Sequence, residues 1–194
     1  MHTWHWISSA VSLICMILFS VTGITLNHAA FFESSPTEIT AEAVIPDSVL
    51  KALPAITDDV EVPPLPGILI NWIDEHVEHE LPMSALKPEW NEYEIYVQQP
   101  LPGGDQWMSI DLATGDLMYS HTDRGIVAWL NDLHKGRNTS LIWIWFIDIF
   151  AVATLIFCIT GLLLLQIHAK RRPSTWYITG AGIVLPGIIA WFFI

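Results

Sequence analysis

The sequence predicts an α-helical membrane protein with three transmembrane helices and a small α+β extracytoplasmic domain between the first and second helix. Hydrophobic residues make up 52% of the 194 residues, and the mean hydropathy is +0.44. Three apolar runs, at 7–26, 141–167 and 176–194, approach or exceed the roughly 20 residues that a helix needs to cross a bilayer. The stretch between the first two runs is polar and acidic, so it predicts a domain outside the lipid.

The apolar runs and the polar stretch divide the chain into five segments. These are transmembrane helix 1 (1–28), the acidic extracytoplasmic domain (29–138), transmembrane helix 2 (139–169), a basic loop (170–175) and transmembrane helix 3 (176–194).

The basic loop fixes the expected orientation. Lys170, Arg171 and Arg172 form the only basic cluster, and short loops rich in Lys and Arg stay in the cytoplasm. The N-terminus is then cytoplasmic, and the acidic domain lies on the outer side. The first apolar run lacks the basic n-region and the small-residue cleavage site of a signal peptide, so we interpret it as a retained anchor.

The extracytoplasmic domain carries most of the charge. Residues 29–132 contain 19 acidic residues against three basic ones, a net charge of −16. This balance argues against nucleic acid as a partner and favours metal cations, which a negative field concentrates. Asp58, Asp59 and Glu61 could collect ferric iron loosely, although a flexible acidic loop is the plainer interpretation.

The patterning of this domain predicts one helix followed by three short strands. Residues 32–66 are expected to be irregular, with a short helix near 47–53. Residues 67–80 have the apolar spacing of an amphipathic helix. Residues 93–98, 106–112 and 117–121 alternate like strands, and 125–133 predicts an interfacial helix.

Four of the eight histidines stand at the ends of the two longest apolar runs. His5 and His28 bracket the first run, while His134 and His168 flank the second. Imidazole is the usual axial ligand of a haem iron, so histidines on neighbouring membrane helices indicate haem b and electron transfer. The alternative is that each is an interfacial histidine capping a helix end.

A Thr-Gly pair precedes a terminal histidine twice. Thr22-Gly23 comes before His28, and Thr160-Gly161 comes before His168. Glycine allows a flat macrocycle, or simply another helix, to approach the backbone closely. The pattern alone favours a helix–helix contact, whereas the pattern together with the histidines favours haem.

The motifs around these positions resemble a known family. Residues 22–28 (TGITLNH) and 132–137 (DLHKGR), followed by Trp143, Trp145, Asp148 and Thr160-Gly161, are similar to the PepSY-associated transmembrane-helix family. The hairpin at 110–117 resembles the last strands of a PepSY module. Larger members have more spans and two modules, so a homodimer is a reasonable inference.

The resemblance implies a function. Relatives include haem-containing siderophore or ferric reductases, and the chain is similar in size to small Vibrio-type ferric reductases of the inner membrane. It would then be a bacterial inner-membrane haem b reductase with a periplasmic domain. It would pass electrons to ferric iron or a ferric chelate, and the ferrous product would feed a separate transporter.

Other functions remain open from the sequence. The chain contains no Gly-rich dinucleotide motif, so electrons would come from a quinol or a cytoplasmic flavin reductase. A non-enzymatic PepSY module that regulates a protease or assists a transporter is the main alternative. A third hypothesis is a subunit that delivers electrons to a partner protein.

The family motifs favour His28 with His134 as the first ligand pair, with His168 and His5 as a second site. His5 and His28 are 23 residues apart, about 35 Å along a helix and about 140° around it, so they do not share a face. Ligands could come from one chain or from both chains of a dimer. His76 and His79, spaced i, i+3 on the predicted helix, are candidate metal ligands, although a solvated helix face is the plainer interpretation.

Overall fold

The computed structural model describes residues 2–32, 35–54 and 63–193. Asp58, Asp59 and Glu61 lie outside these residues. The chain forms two compact units, one built from Met1–Ser20 with Ile142–Ile194 and the other from Val21–Leu141. In chain order the elements are α1 (His2–Asn27), β1 (Thr37–Val44), α2 (Asp47–Leu50), α3 (Gly67–His76), β2 (Glu89–Trp90), β3 (Glu94–Leu101), β4 (Gly104–Asp111), β5 (Asp116–Asp123), α4 (Ile126–Lys135), α5 (Leu141–His168) and α6 (Thr175–Phe193).

Three helices, α1, α5 and α6, are long and apolar enough to cross a membrane, and they coincide with the three predicted apolar runs. Within the first unit, the amino-terminal part of α1 packs on α5. Phe19 and Phe150 lie with ring centroids 5.1 Å apart. Ser12 is fully buried, and its hydroxyl donates to the Ser8 carbonyl oxygen at 2.7 Å. Small side chains bonded to their own backbone let two apolar helices approach closely.

The second unit contains one antiparallel sheet with the strand order β1-β5-β4-β3-β2. The first and last long strands are neighbours, and Thr37 pairs with Asp123. The predicted strands at 93–98, 106–112 and 117–121 are confirmed as β3, β4 and β5, with ends that differ by a few residues. The expectation that 32–66 is irregular was wrong at β1, and the two-residue strand β2 was not predicted.

The low hydrophobicity of β1 explains the missed strand. Its inward positions across from β5 include Ala41 and Ala43, which pair with Tyr119 and Leu117. Alanine is small and common in helices and loops, so the alternation in this acidic stretch carries a weak strand signal. The large side chains of β5 supply the packing on that side of the sheet.

The core lies between α3 and one face of the sheet. Leu69 and Ile73 of α3 are fully buried, as are Ile95, Met108 and Ile110 of β3 and β4. Alternate residues of each strand face this helix because the side chains of a strand alternate between its two faces.

Helix α3 ends earlier than predicted. It stops at His76, and Val77 adopts an extended conformation with φ −123° and ψ 124°. Val77 and Leu81 are nevertheless both buried. Their i, i+4 spacing is typical of a helix, but an extended segment also places residues four apart on one face. The prediction of helix over 77–80 was therefore wrong.

Candidate functional site

In the first unit, a histidine of α1 lies against the Thr-Gly pair of α5. His5 Nδ1 is 3.0 Å from Thr160 Oγ1, and the imidazole stacks on Phe157 with centroids 4.9 Å apart and an interplanar angle of 16°. A Cβ atom built on Gly161 would lie 3.5 Å from His5 Cε1, an ordinary contact distance. We name Thr160, Gly161 and His5 the first Thr-Gly site.

His5 and His168 line one cavity. The cavity has a volume of about 570 Å³, and its walls also include Gly161, Leu164, Arg172 and Thr175. This volume lies within the range of roughly 300–1,000 Å³ that is usual for ligand pockets. The structure thus brings together the two histidines that the family motifs favoured less.

The donor set of this cavity fits haem b. His168 Nδ1 lies 2.8 Å from the carbonyl oxygen of Leu164. A carbonyl only accepts, so this nitrogen carries the proton and Nε2 keeps its lone pair. Neutral imidazoles with Nε2 available are haem ligands, and Arg172, a residue type suited to pair with carboxylates, also lines the cavity.

In the second unit, a histidine again lies against a Thr-Gly pair. His134 of α4 approaches α1, with Nδ1 2.6 Å from Thr22 Oγ1. A Cβ atom on Gly23 would lie 3.7 Å from His134 Cε1. We name Thr22, Gly23 and His134 the second Thr-Gly site. In both sites the pair contacts a histidine from a different helix, whereas the sequence had associated each pair with the histidine that follows it.

Helix α4 is tied to α1 and to the β3–β4 turn. Thr25 Oγ1 donates to Asn131 Oδ1 at 2.7 Å. The buried carboxylate of Asp132 accepts a hydrogen bond from the Gly103 backbone N–H at 2.9 Å. It also forms an ion pair with Arg137 Nη2 at 2.5 Å. These contacts fix the helix two residues before His134.

Two glycines at the β3–β4 turn allow close backbone approaches, Gly103 to α4 and Gly104 to β5. Gly103 has φ +73°, and a Cβ atom there would lie 2.7 Å from backbone atoms of Trp129. A Cβ on Gly104 would lie 2.3 Å from the Thr122 carbonyl oxygen. Any side chain at either position would collide with backbone, which cannot rotate aside.

His28 immediately follows α1 and is exposed. Its Nδ1 lies 3.0 Å from the Ile24 carbonyl oxygen of its own helix, and its ring centroid is 6.0 Å from that of Phe31. His134 and His28 are therefore anchored separately, one by Thr22 and the other by its own backbone. Their pairing as ligands remains a prediction.

The geometry that made His76 and His79 candidate metal ligands is absent, because α3 ends at His76. His76 stacks on Trp72 with centroids 4.6 Å apart. The side chain of His79 is only 6% exposed, and its Nε2 lies 3.1 Å from Asp74 Oδ1. Among the residues that the structure describes, no group of three or more His, Cys, Asp or Glu is arranged to hold a metal ion.

A buried polar network lies beneath the sheet. Tyr119 donates its hydroxyl to Gln106 Oε1 at 2.8 Å, and Gln106 Nε2 donates to Gln99 Oε1 at 2.8 Å. Burial, opposed by a hydrogen bond from the Glu80 backbone and aided by the charge of Glu80, raises the pKa of Tyr119 above 10.0. The network is therefore neutral at physiological pH.

The sequence analysis singled out both Thr-Gly pairs but missed the contact of each threonine with an imidazole, and it assigned Arg172 only to the basic loop. The repeated Thr-Gly pair was the available signal for the threonines, but sequence order gave no information on which histidine each would meet. The proximity of Arg172 to the cavity follows from the turn between α5 and α6, which composition alone does not specify.

Comparison with family models gives one match. The model described as Putative PepSY_TM-like matches residues 1–194. No curated protein and no solved structure matches the chain.

Proposed function

Because the chain belongs to the PepSY_TM-like family, we propose that it is a haem b-containing reductase of the bacterial inner membrane. It passes electrons to extracytoplasmic ferric iron or ferric chelates for iron uptake. The single observation that carries this proposal is the cavity that His5 and His168 line together with Arg172.

The chain's own residues would hold the cofactor by simple means. His5 and His168 would bind the haem iron through their imidazoles, and Arg172 would neutralise the carboxylates of the cofactor. Leu164 and Leu165 give the cavity an apolar wall, which excludes water from the iron. Haem b, when bound, supplies reversible one-electron transfer.

In the proposed topology, the two sides of the membrane have different roles in electron transfer. Arg172 belongs to the basic loop, so the positive-inside rule puts the His5–His168 cavity on the cytoplasmic side. Electrons would arrive there from a cytoplasmic flavin reductase or from a quinol. His5 and His28 are separated by about 35 Å of helix, so transfer to the outer side calls for a second centre near the second Thr-Gly site. His134 is the proposed ligand there, and His28 or a histidine of a second copy would be the other ligand.

The acidic domain would gather the substrate. Its net charge of −16 over residues 29–132 raises the local concentration of cations. Ferric iron needs no dedicated three-ligand cage for this, because outer-sphere electron transfer requires approach rather than tight binding. The ferrous product would leave for a separate transporter.

The test is a visible spectrum of the purified chain from haem-replete cells. We expect a Soret band and sharp bands on dithionite reduction, and bleaching of the reduced bands when a ferric chelate is added. A colourless preparation would refute the proposal and favour a non-enzymatic PepSY module. Reduced bands that persist with ferric chelates but oxidise with a partner protein would instead support an electron-delivery subunit.

Histidine variants locate the ligands. His5→Ala and His168→Ala should each remove or shift part of the spectrum. His76→Ala is the matched control, because this exposed histidine also bonds its own helix, with Nδ1 2.8 Å from the Trp72 carbonyl oxygen. Equal haem content in all three variants would remove the cavity histidines from the ligand set.

A further inference from the structure

The Thr160 hydroxyl has three hydrogen-bond neighbours and only one proton. Its Oγ1 lies 2.8 Å from the Ile156 carbonyl oxygen and 3.0 Å from that of Phe157. It also lies 3.0 Å from His5 Nδ1. Both carbonyls can only accept, so the hydroxyl proton is directed to them. The contact with His5 is then one in which Nδ1–H donates to Thr160 Oγ1.

We propose that Thr160 is a positioning residue that holds His5 as the Nδ1-protonated tautomer. A neutral imidazole carries one proton, so Nε2 is left as the nitrogen with a free lone pair. A hydrogen bond on the distal ring nitrogen fixes the tautomer and raises the basicity of a metal-binding histidine. The identity of the metal centre rests on the proposed function, whereas the tautomer of His5 does not.

The ring orientation of His5 is fixed by the same turn of α5. Phe157 stacks against the imidazole face, and Thr160, three residues later, binds its edge. Residues three apart on a helix lie on one side of it. Gly161 adds no side chain between the ring and the cavity.

The second cavity histidine reaches the same state by a different route. His168 Nδ1 donates to the Leu164 carbonyl oxygen of its own helix. Two histidines in one cavity therefore present the same nitrogen, although one is held by a side chain and the other by backbone. The own-helix bond of His168 also occurs at His28 and His76, so the side-chain contact of His5 is the more specific of the two.

The arrangement also occurs twice in the chain. Thr22 Oγ1 contacts His134 Nδ1 at 2.6 Å, beside Gly23. Two Thr-Gly pairs that each bind a histidine from another helix indicate one structural device used at two places. Helix packing alone requires the small residue but not the threonine–imidazole contact.

Three variants of α5 test the tautomer without any cofactor. Thr160→Val removes the hydroxyl at nearly constant volume, and Thr160→Ser keeps it. Thr154→Val is the matched control on the same helix, because Thr154 Oγ1 is buried with no hydrogen-bond partner among the described residues. The readout is ¹⁵N NMR of the full-length apo chain, labelled at histidine, with the His5 signals assigned by their loss in His5→Gln.

We expect a protonated Nδ1 and an unprotonated Nε2 at His5 in wild type, Thr160→Ser and Thr154→Val. In Thr160→Val the two tautomers should mix. A wild-type His5 protonated at Nε2, or an unchanged tautomer in Thr160→Val, would overturn the inference.

The haem-loaded chain provides the second readout. Loss of the hydrogen bond makes the ligand less basic and disfavours the oxidised iron, so Thr160→Val should raise the reduction potential. A tenfold change in this preference corresponds to about 59 mV for one electron. Thr160→Ser and Thr154→Val should keep the wild-type potential. An unchanged potential in Thr160→Val, with haem bound, would overturn the tuning role, whereas a haem-free chain with the expected tautomers would refute the proposed function alone.

Discussion

Replacement of Asp132 should weaken the attachment of α4 to the β3–β4 turn. The carboxylate is buried and accepts the Gly103 N–H at 2.9 Å. In Asp132→Ala that buried N–H loses its partner, which costs about 1–3 kcal/mol. The ion pair with Arg137 adds at most about 1 kcal/mol, because the arginine side chain is 56% exposed and its charge is solvated. The expected loss is therefore about 1–4 kcal/mol.

Asp132→Asn separates the two contributions. The amide oxygen can still accept the Gly103 N–H, so only the charge-dependent part is lost, and the cost should fall to about 1 kcal/mol. Pulse proteolysis in urea, with the full chain in detergent micelles, measures the free energy of unfolding of the second unit. Cleavage between β5 and α5 reports on α4 directly.

Two outcomes would contradict this account of Asp132. Asp132→Ala and Asp132→Asn with equal unfolding free energies would mean that the Gly103 bond contributes nothing. A loss of unfolding free energy below about 0.5 kcal/mol in Asp132→Ala, typical of neutral surface changes, would refute the role of Asp132 in holding α4 against the turn.

Three further predictions concern the cavity and the pH dependence of the sheet domain. Gly161→Leu should fill the cavity and lower the haem-to-protein ratio, whereas Gly161→Ala should not, since its Cβ makes only an ordinary contact. Burial raises the pKa of Tyr119, so its stabilisation is complete below pH 10 and is lost as pH rises through the folded-state pKa. Tyr119→Phe should make the free energy of unfolding less dependent on pH in this alkaline range. Hydrogen bonds from the backbone N–H groups of Thr114 and Ala113 lower the pKa of Asp111. Its contribution to the free energy of unfolding is therefore present above the ordinary carboxyl pKa and is lost as pH falls through the folded-state pKa. A ¹³C carboxyl titration of Asp111 that gives an ordinary or raised pKa would contradict this account.

The membrane helices were predictable because composition alone determines them. Runs of apolar residues must leave water, and their backbone groups must then bond internally as helices. The predicted segments at 7–26, 141–167 and 176–194 agree with α1, α5 and α6 within a few residues at most ends. The first helix begins earlier, at His2, since polar residues at a helix end carry no apolar signal.

The sheet was predicted only in part because two of its strands depend on neighbours. Strand β2 has two residues, Glu89 and Trp90, and exists only through its pairing with β3. Strand β1 is assembled by β5, whose larger side chains complete its weak pattern. Pairing over such distances is a tertiary effect that a local window does not contain.

The candidate site was predictable in its residue types and not in its pairing. Their positions at helix ends singled out His5 and His168 as candidates, and the structure places both on the wall of one cavity. Their role as ligands remains a prediction. Family motifs instead favoured His28 with His134. Which helix a Thr-Gly pair faces depends on helix rotation and docking, and neither quantity is encoded by the spacing of residues along one helix.

The pairing of β1 with β5 has a consequence for how the chain is made. Residue 123 is synthesised 86 residues after its partner, residue 37. At about 5–20 residues per second, β1 waits roughly 4–17 s with both edges open while the rest of the sheet is translated. An open strand is a template for aberrant pairing. The glutamates Glu38 and Glu42 along β1 would protect the nascent chain during this delay, because repulsion between like charges keeps the unpaired β1 strands of two copies apart.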